Sequence, residues 1–294
     1  MNRHRGNSLN ERRRDFCGGA FLFKATTTYS IARNQRRPDT MPTALTREVP
    51  PTIVQCELTH LRREPIDLPR AVEQHRQYQR ALTELGCTIQ RLTPLPDLPD
   101  SVFVEDTAVV LPELAVITRP GAASRRAEVT SVSHALREYR RLALIDSPGT
   151  LDGGDVLVVE RTIYVGESTR TNADGIRQLA ELTSSYGYTV CPLTTSGCLH
   201  LKSAVTRVAE DAILLNPEWV DASAFGHMRR IEVHSAEPFA ANALLIGEDV
   251  IYPAGFDETS ARLERIGIDV HPVETGELQK AEGGVTCCSI IVAP

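Results

Sequence analysis

The chain repeats one order of local structure, strand, strand, helix, strand, and that recurrence restricts it to architectures in which like units pack side by side. Apolar spacing and turn residues give one copy as strands at 107–110 and 114–118, a helix over 125–139 and a strand at 142–145. The next has strands at 155–159 and 163–165, a helix near 174–186 that Thr171 or Asn172 can cap and Gly187 can end, and a strand at 189–193. A third runs through 204–208, 212–215, a short helix near 222–228 and 231–234; a fourth through 243–246, 250–252, a helix near 258–266 and 268–272.

A fifth copy is complete only if both ends of the chain contribute to it. Its strand pair is Cys288–Val292 with Thr46–Val49, its helix Leu68–Gly86 and its last strand Thr88–Leu92. In that helix Leu68, Ala71, His75, Tyr78, Leu82 and Leu85 stand three or four apart, one stripe for one core. Five units whose last member borrows both termini predict a closed ring without free sheet edges between units.

The repeat gives the polar residues a shared register. Asp106, Asp152, His200, Asn242 and Cys287 precede the first strand of successive units, in steps of 46, 48, 42 and 45 residues. Equivalent strand ends in a ring converge, so a thiol, an imidazole and two carboxylates are expected in one pocket. Taken alone, Cys287-Cys288 reads as two small core residues, and a single His or Asp beside a strand reads as a turn or cap. The joint register favours chemistry: Cys287 as nucleophile, His200 as acid and base, Asp152 as the group that orients the imidazole. Glu105 and Asp106 would oppose a thiolate by like charge unless a cation lies between. A guanidinium is such a cation, planar, rich in donors and always charged.

Composition limits the partners. A net charge of −6 offers no basic field for nucleic acid or an anionic membrane and suits a cationic ligand, and no apolar run reaches membrane-spanning length. The seven cysteines are odd in number and contain no Cys-x-x-Cys, which suggests reduced thiols and a cytoplasmic location. Residues 1–40 carry Arg3, Arg5, Arg12, Arg13, Arg14, Arg33, Arg36 and Arg37 without strand or helix periodicity, and read as a disordered extension. Patterning begins at about Leu45, so Met41 is expected to be the functional first residue and 41–294 a single catalytic domain.

Five motifs then bear on a family. Asp100-Ser101-Val102-Phe103-Val104-Glu105-Asp106, Ile117-Thr118-Arg119-Pro120-Gly121-Ala122, Leu151-Asp152-Gly153-Gly154-Asp155, Leu199-His200-Leu201-Lys202-Ser203 and Thr286-Cys287-Cys288-Ser289 resemble, in order, those of the dimethylarginine dimethylaminohydrolases. That family belongs to the guanidine-modifying superfamily, and the resemblance runs from about Thr46 to Val292. It implies an α/β fold, the five-bladed α/β propeller, and hydrolysis of asymmetric dimethylarginine or monomethylarginine to citrulline and a methylated amine, with no metal or organic cofactor. It gives Cys287 the nucleophile's place, His200 the acid/base and Asp152 the orienting acid.

The resemblance further implies that Asp106 and Glu105 bind the guanidinium end, that Asp100 and the carbonyls of Leu58 and Ala281 face the α-amino group, and that Arg125 and Arg170 bind the carboxylate. Residues 54–65 correspond to a lid. Gly153 and Gly154 are read as a tight turn that aims Asp152. Relatives that act on unsubstituted guanidines carry an acid two places after the catalytic His; Lys202 stands there and favours methylated substrates. The rivals are a deiminase for arginine or another guanidine, and a non-catalytic or redox-sensing binding protein on the same fold. Zinc on Cys191, Cys198, His200 and Cys287 is disfavoured by spacing, and the oligomeric state is left open.

Overall fold

The computed structural model describes residues 41–294, so the extension expected over residues 1–40 lies outside the described residues. The first sheet begins with β1 (Thr43–Thr46) and β2 (Thr88–Arg91). The others are β3 (Ala108–Val110), β4 (Leu114–Ile117) and β5 (Arg141–Leu144); β6 (Val156–Val159), β7 (Thr162–Glu167) and β8 (Thr189–Thr194); β9 (Val205–Arg207), β10 (Ala212–Leu215) and β11 (Arg229–Glu232); β12 (Leu244–Ile246), β13 (Asp249–Pro253) and β14 (Asp269–Val273). β15 (Ile290–Val292) pairs antiparallel with β1, so one sheet does draw on both ends of the chain. In every sheet the middle strand runs antiparallel to the first and parallel to the third. The five sheets are separate hydrogen-bonded units, and none of them closes on itself.

The helices are α1 (Leu68–Glu84), α2 (Val129–Leu136), α3 (Ala173–Ser184), α4 (Leu201–Ala204), α5 (Asp257–Arg265) and α6 (Gly276–Gln279). Their ends follow local chemistry. Asp67 caps α1 by accepting from the Arg70 amide at 3.1 Å, with Pro69 in the first turn. Of the two caps expected for α3, Asn172 is the one used, accepting from Gly175 N at 2.9 Å. Gly187 follows with φ of +79°, a left-handed value suited to glycine. No helix among the described residues is long and apolar enough to cross a membrane.

Five apolar clusters join neighbouring sheets. Leu45 and Ile290 meet Ile117 and Leu136; Val116 meets Ile163 and Leu179; Leu157 and Tyr164 meet Ile213 and Phe225. Leu214 meets Val250 and Leu263, and Ile251 meets Ala44, Tyr78 and Leu82. Each sheet is thereby packed against the next, and the fourth repeat against the split one.

Several expected boundaries shift. The strand expected at Thr46–Val49 lies at Thr43–Thr46. Arg47 is fully buried and spends its guanidinium on the carbonyls of Thr93 and Ser101 and the hydroxyl of Ser131, while Pro50 and Pro51 have no amide hydrogen to continue a ladder. The single helix expected over 125–139 is a 3-10 turn, Ala123–Glu128, followed by α2; the tighter turn stacks Arg125 over Glu128. The short helix expected near 222–228 is a 3-10 turn, Ala222–Phe225, and β11 starts two residues before Ile231. Leu201–Ala204 forms one helical turn ahead of β9, where strand was expected from Ala204.

Candidate active site

Short turns lead into the first strands, and they meet. Asp106 lies in the 3-10 turn Val104–Thr107 before β3, and Asp152 caps the turn Gly153–Asp155 before β6. His200 precedes α4, and Cys287 lies three residues before β15. His200 Nε2 is 3.1 Å from Asp152 Oδ2 and its Nδ1 is 3.9 Å from Asp106 Oδ1. Backbone amides hold both acids: Gly121 N donates to Asp152 Oδ1 and Gly154 N to Asp106 Oδ1, each at 2.9 Å.

Gly153 and Gly154 are needed for close approach rather than for an unusual turn. Neither has positive φ. A Cβ on Gly154 would stand 2.6 Å from His200 Nδ1, and one on Gly153 2.1 Å from the Glu105 carbonyl.

Charge in this cluster is closely balanced. Burial opposes the charge on His200, but the carboxylates of Asp106, Asp155 and Asp152 outweigh it and raise the imidazole to about 9, so it is an imidazolium at neutral pH. Burial likewise works to raise Asp106, whereas His200 and Arg125 hold it down at about 2. Arg125 is buried with its donors turned inward. Its Nη1 donates to Asp106 at 2.5 Å, Nε and Nη2 to Glu128 at 3.2 and 2.9 Å, and Nη2 also to the Phe103 and Asp100 carbonyls.

Glu105 is covered by Lys202, which forms an ion pair with Oε1, and accepts from Thr286 Oγ1 at 2.7 Å. The place where a second acid is absent is thus filled by a cation that crosses to Glu105. Burial raises the Glu105 pKa.

The two cysteines differ. Cys287 Sγ accepts from Gly284 N at 3.3 Å, and burial, then the charges of Glu105 and Asp106, push its thiol up to about 12. Cys288 is buried in the apolar cluster around α1, its thiol donating to Gly284 O at 3.7 Å. The packed side of α1 also sends Tyr78 to Ser289 Oγ, at 2.7 Å.

Asp100, Asp106, Arg125, Arg170, His200, Ala281 and Cys287 line one small cavity. Three predicted residues stand behind or above it. Asp152 is fully buried behind His200, Glu105 lies under Lys202, and Leu58 sits in the covering loop. Asp100 accepts from the Glu57 amide, and Arg170 donates to Thr59 Oγ1 at 3.2 Å. Sequence reasoning missed Glu57, Phe103, Leu199, Glu282 and Gly283 on the cavity wall. It also missed Glu128, for which a signal existed: an acid three residues after Arg125 at a helix start. Asp155, which takes the Leu201 amide and the Ser168 hydroxyl, stood in the Leu151–Asp155 motif but was given no role.

Among the described residues, the one group of three metal-capable side chains is Asp106, Asp152 and His200. It does not include Cys191, Cys198 or Cys287, and an imidazolium at its centre disfavours a cation. Cys198 instead donates to the His200 carbonyl.

This arrangement has close parallels. Residues 58–234 match the family model described as N,N dimethylarginine dimethylhydrolase, eukaryotic. The N(G),N(G)-dimethylarginine dimethylaminohydrolase of Pseudomonas aeruginosa is 37% identical over 76% of this chain and 89% of its own length. The chain belongs to the dimethylarginine dimethylaminohydrolase family. The Streptomyces coelicolor member of that name is 39% identical over 84% of this chain and 95% of its own. A solved structure of the Pseudomonas aeruginosa enzyme, a cysteine-to-serine mutant complexed with citrulline, superposes with a TM-score of 0.82 at 35% identity, covering 86% of this chain and 99% of that one. Dimethylarginine dimethylaminohydrolases are hydrolases of the guanidine-modifying superfamily, so the protein is placed among enzymes rather than among binding modules.

Proposed function

We propose that the protein hydrolyses N-omega-methylated arginine to citrulline and a methylated amine through a covalent intermediate on Cys287. The observation that carries this reading is that Cys287, an imidazolium His200 and Asp106 line one cavity. Without substrate the thiol stays protonated, because burial and then the charges of Glu105 and Asp106 oppose the thiolate. A guanidinium between those acids and Sγ favours the thiolate, and the thiol releases its proton to solvent on binding. Sγ then attacks the guanidinium carbon. His200 gives its proton to the departing amine, which breaks the C–N bond and leaves a thiouronium. The neutral imidazole next takes a proton from water, the hydroxide oxygen adds to the same carbon, and the C–S bond breaks as the hydroxyl proton passes to the departing sulfur, giving citrulline and the resting thiol.

Asp152 keeps Nε2 engaged throughout, so the ring does not rotate away. Asp106 faces the guanidinium, Glu105 is the second acid of that end, and Arg170 on the cavity wall takes the substrate carboxylate. Arg125 lines the same cavity as the second arginine for the carboxylate, and its Nη1 also holds Asp106 in place for the guanidinium. Asp100 and the carbonyls of Leu58 and Ala281 take the α-amino group.

The five-bladed propeller belongs to the same reading, supported by five sheets joined in cyclic order by five apolar clusters. Residues 41–294 are its catalytic unit, and the six described cysteines, all free, suit a reducing cytoplasm. Asymmetric dimethylarginine, monomethylarginine, arginine and agmatine supplied in parallel, with citrulline and released amine measured, test the reaction. Turnover of the two methylated substrates is expected; turnover of arginine alone overturns the substrate class. A chain starting at Met41 should keep the full rate and melting temperature.

A further inference from the structure

The cavity that holds Cys287 and His200 is narrow. Its volume is about 20 Å³, room for about one water, so an amino acid enters only when the covering loop moves. One side chain holds that loop at three successive amides. Glu282 accepts from Thr59 N at 3.1 and 3.0 Å, from His60 N at 2.6 Å and from Leu61 N at 2.6 Å. Consecutive amides turned to one carboxylate form an anion-binding nest, here made by the lid itself.

The backbone at Glu282 is unusual too. Its φ is +59°, a region that glycine occupies freely and a residue with a Cβ does not. Glycines follow at 283 and 284, yet position 282 carries an acid. Among the described residues no cation forms an ion pair with it. Its charge is spent on the lid.

Glu282 also stands between two spaces. With Leu199 and Gly283 it lines both the narrow cavity and a neighbouring one of about 350 Å³, whose wall includes His60 and Leu61. Of the three shared residues, Glu282 is the one whose side chain is tied to the loop, so its release changes the wall between the two.

We propose that Glu282 is a positioning residue that latches the lid, holding Leu58 over the bound α-amino group and, when it lets go, opening the reaction cavity to the larger space. The proposal rests on the reading of this cavity as the substrate site. Arg170 to Thr59 and Asp100 to Glu57 add single bonds to the same loop, but neither gathers three amides.

Glu282→Gly is the informative variant, because it removes the carboxylate while relieving the backbone, so the fold survives. Amide hydrogen exchange over residues 57–61, with no substrate present, should speed up by about tenfold or more, as loss of charge-assisted bonds implies. The melting temperature should stay level or rise. With asymmetric dimethylarginine, KM should increase about tenfold while kcat changes by less than about threefold. Glu282→Asp should restore part of the exchange protection. Unchanged exchange at 57–61 in Glu282→Gly overturns the latch. Since exchange is read without substrate, that result is separate from a failure of the wild type to turn over methylarginine, which would overturn the proposed reaction instead.

Discussion

First strands and third strands differ in where they meet charge. First strands β3, β6 and β9 are mostly buried, and the turns before them carry Asp106, Asp152 and His200. Third strands β2, β5 and β11 carry the exposed Arg91, Arg141, Arg229 and Arg230, while β8 and β14 carry Pro192 and Pro272. Charges and prolines on an outer edge keep another strand from adding to it, and ion pairs made there are worth at most about 1 kcal/mol. Charges buried at the first strands each lose several kcal/mol of hydration and persist only because they answer one another. A charge on the outer edge protects the fold; one buried at a first strand is held by its counter-charges.

The sharpest way to break this contrast is at the paired cysteines, one on each side of the boundary between site and core. Cys287→Ser should lower citrulline formation by about a thousandfold or more, and Cys288→Ser by less than about threefold. Equal losses would show that the register before β15 does not select the reacting thiol.

Next in size is the buried charge chain. Asp106→Asn leaves Arg125 and His200 without their shared counter-ion and should destabilise the protein by about 3 kcal/mol in urea unfolding, besides abolishing most activity. An effect below about 1 kcal/mol would put Asp106 in the class of outer-edge charges.

The pH dependence sharpens the same point. His200 is raised to about 9 in the folded protein, above its unfolded value of about 6.5, so its contribution is fully present below pH 6.5 and lost as pH rises through about 9. Relative to His200→Gln, the wild type should lose at most about 3 kcal/mol over that window, and carbon NMR of the ring should show the proton leaving near pH 9. A midpoint near 6.5 would mean that Asp106, Asp155 and Asp152 do not hold the imidazolium.

The smallest effect belongs to the outer edge. Leu144 on β5 is 56% exposed; Leu144→Thr should change stability by less than about 0.5 kcal/mol and leave turnover alone. A larger loss would reveal a partner on that edge.

Much of this contrast was legible in the chain itself. The α1 stripe, a polar cap for α3 at 171 or 172 and the even spacing of Asp106, Asp152, His200 and Cys287 are local or periodic signals, set by burial on one face and by turn chemistry. Strand ends were less legible. The slip of β1 to Thr43–Thr46 follows from where Arg47 finds acceptors 46 and 54 residues away, and nothing nearby in sequence says so.

The sequence by itself therefore determined the unit, its fivefold recurrence, the register that carries the site residues and the family resemblance. Tertiary structure alone decided the partners: Arg125 turned inward to Asp106 and Glu128, Lys202 laid over Glu105, Glu282 facing the lid amides of residues 59–61, and the glycines at 153 and 154 left bare so that carbonyl and imidazole can approach. The reason is range. Periodicity and capping act over a few residues and leave their mark in the order of the chain, whereas a buried charge takes whichever counter-charge the packed sheets bring within about 3 Å, a choice spread over two hundred residues.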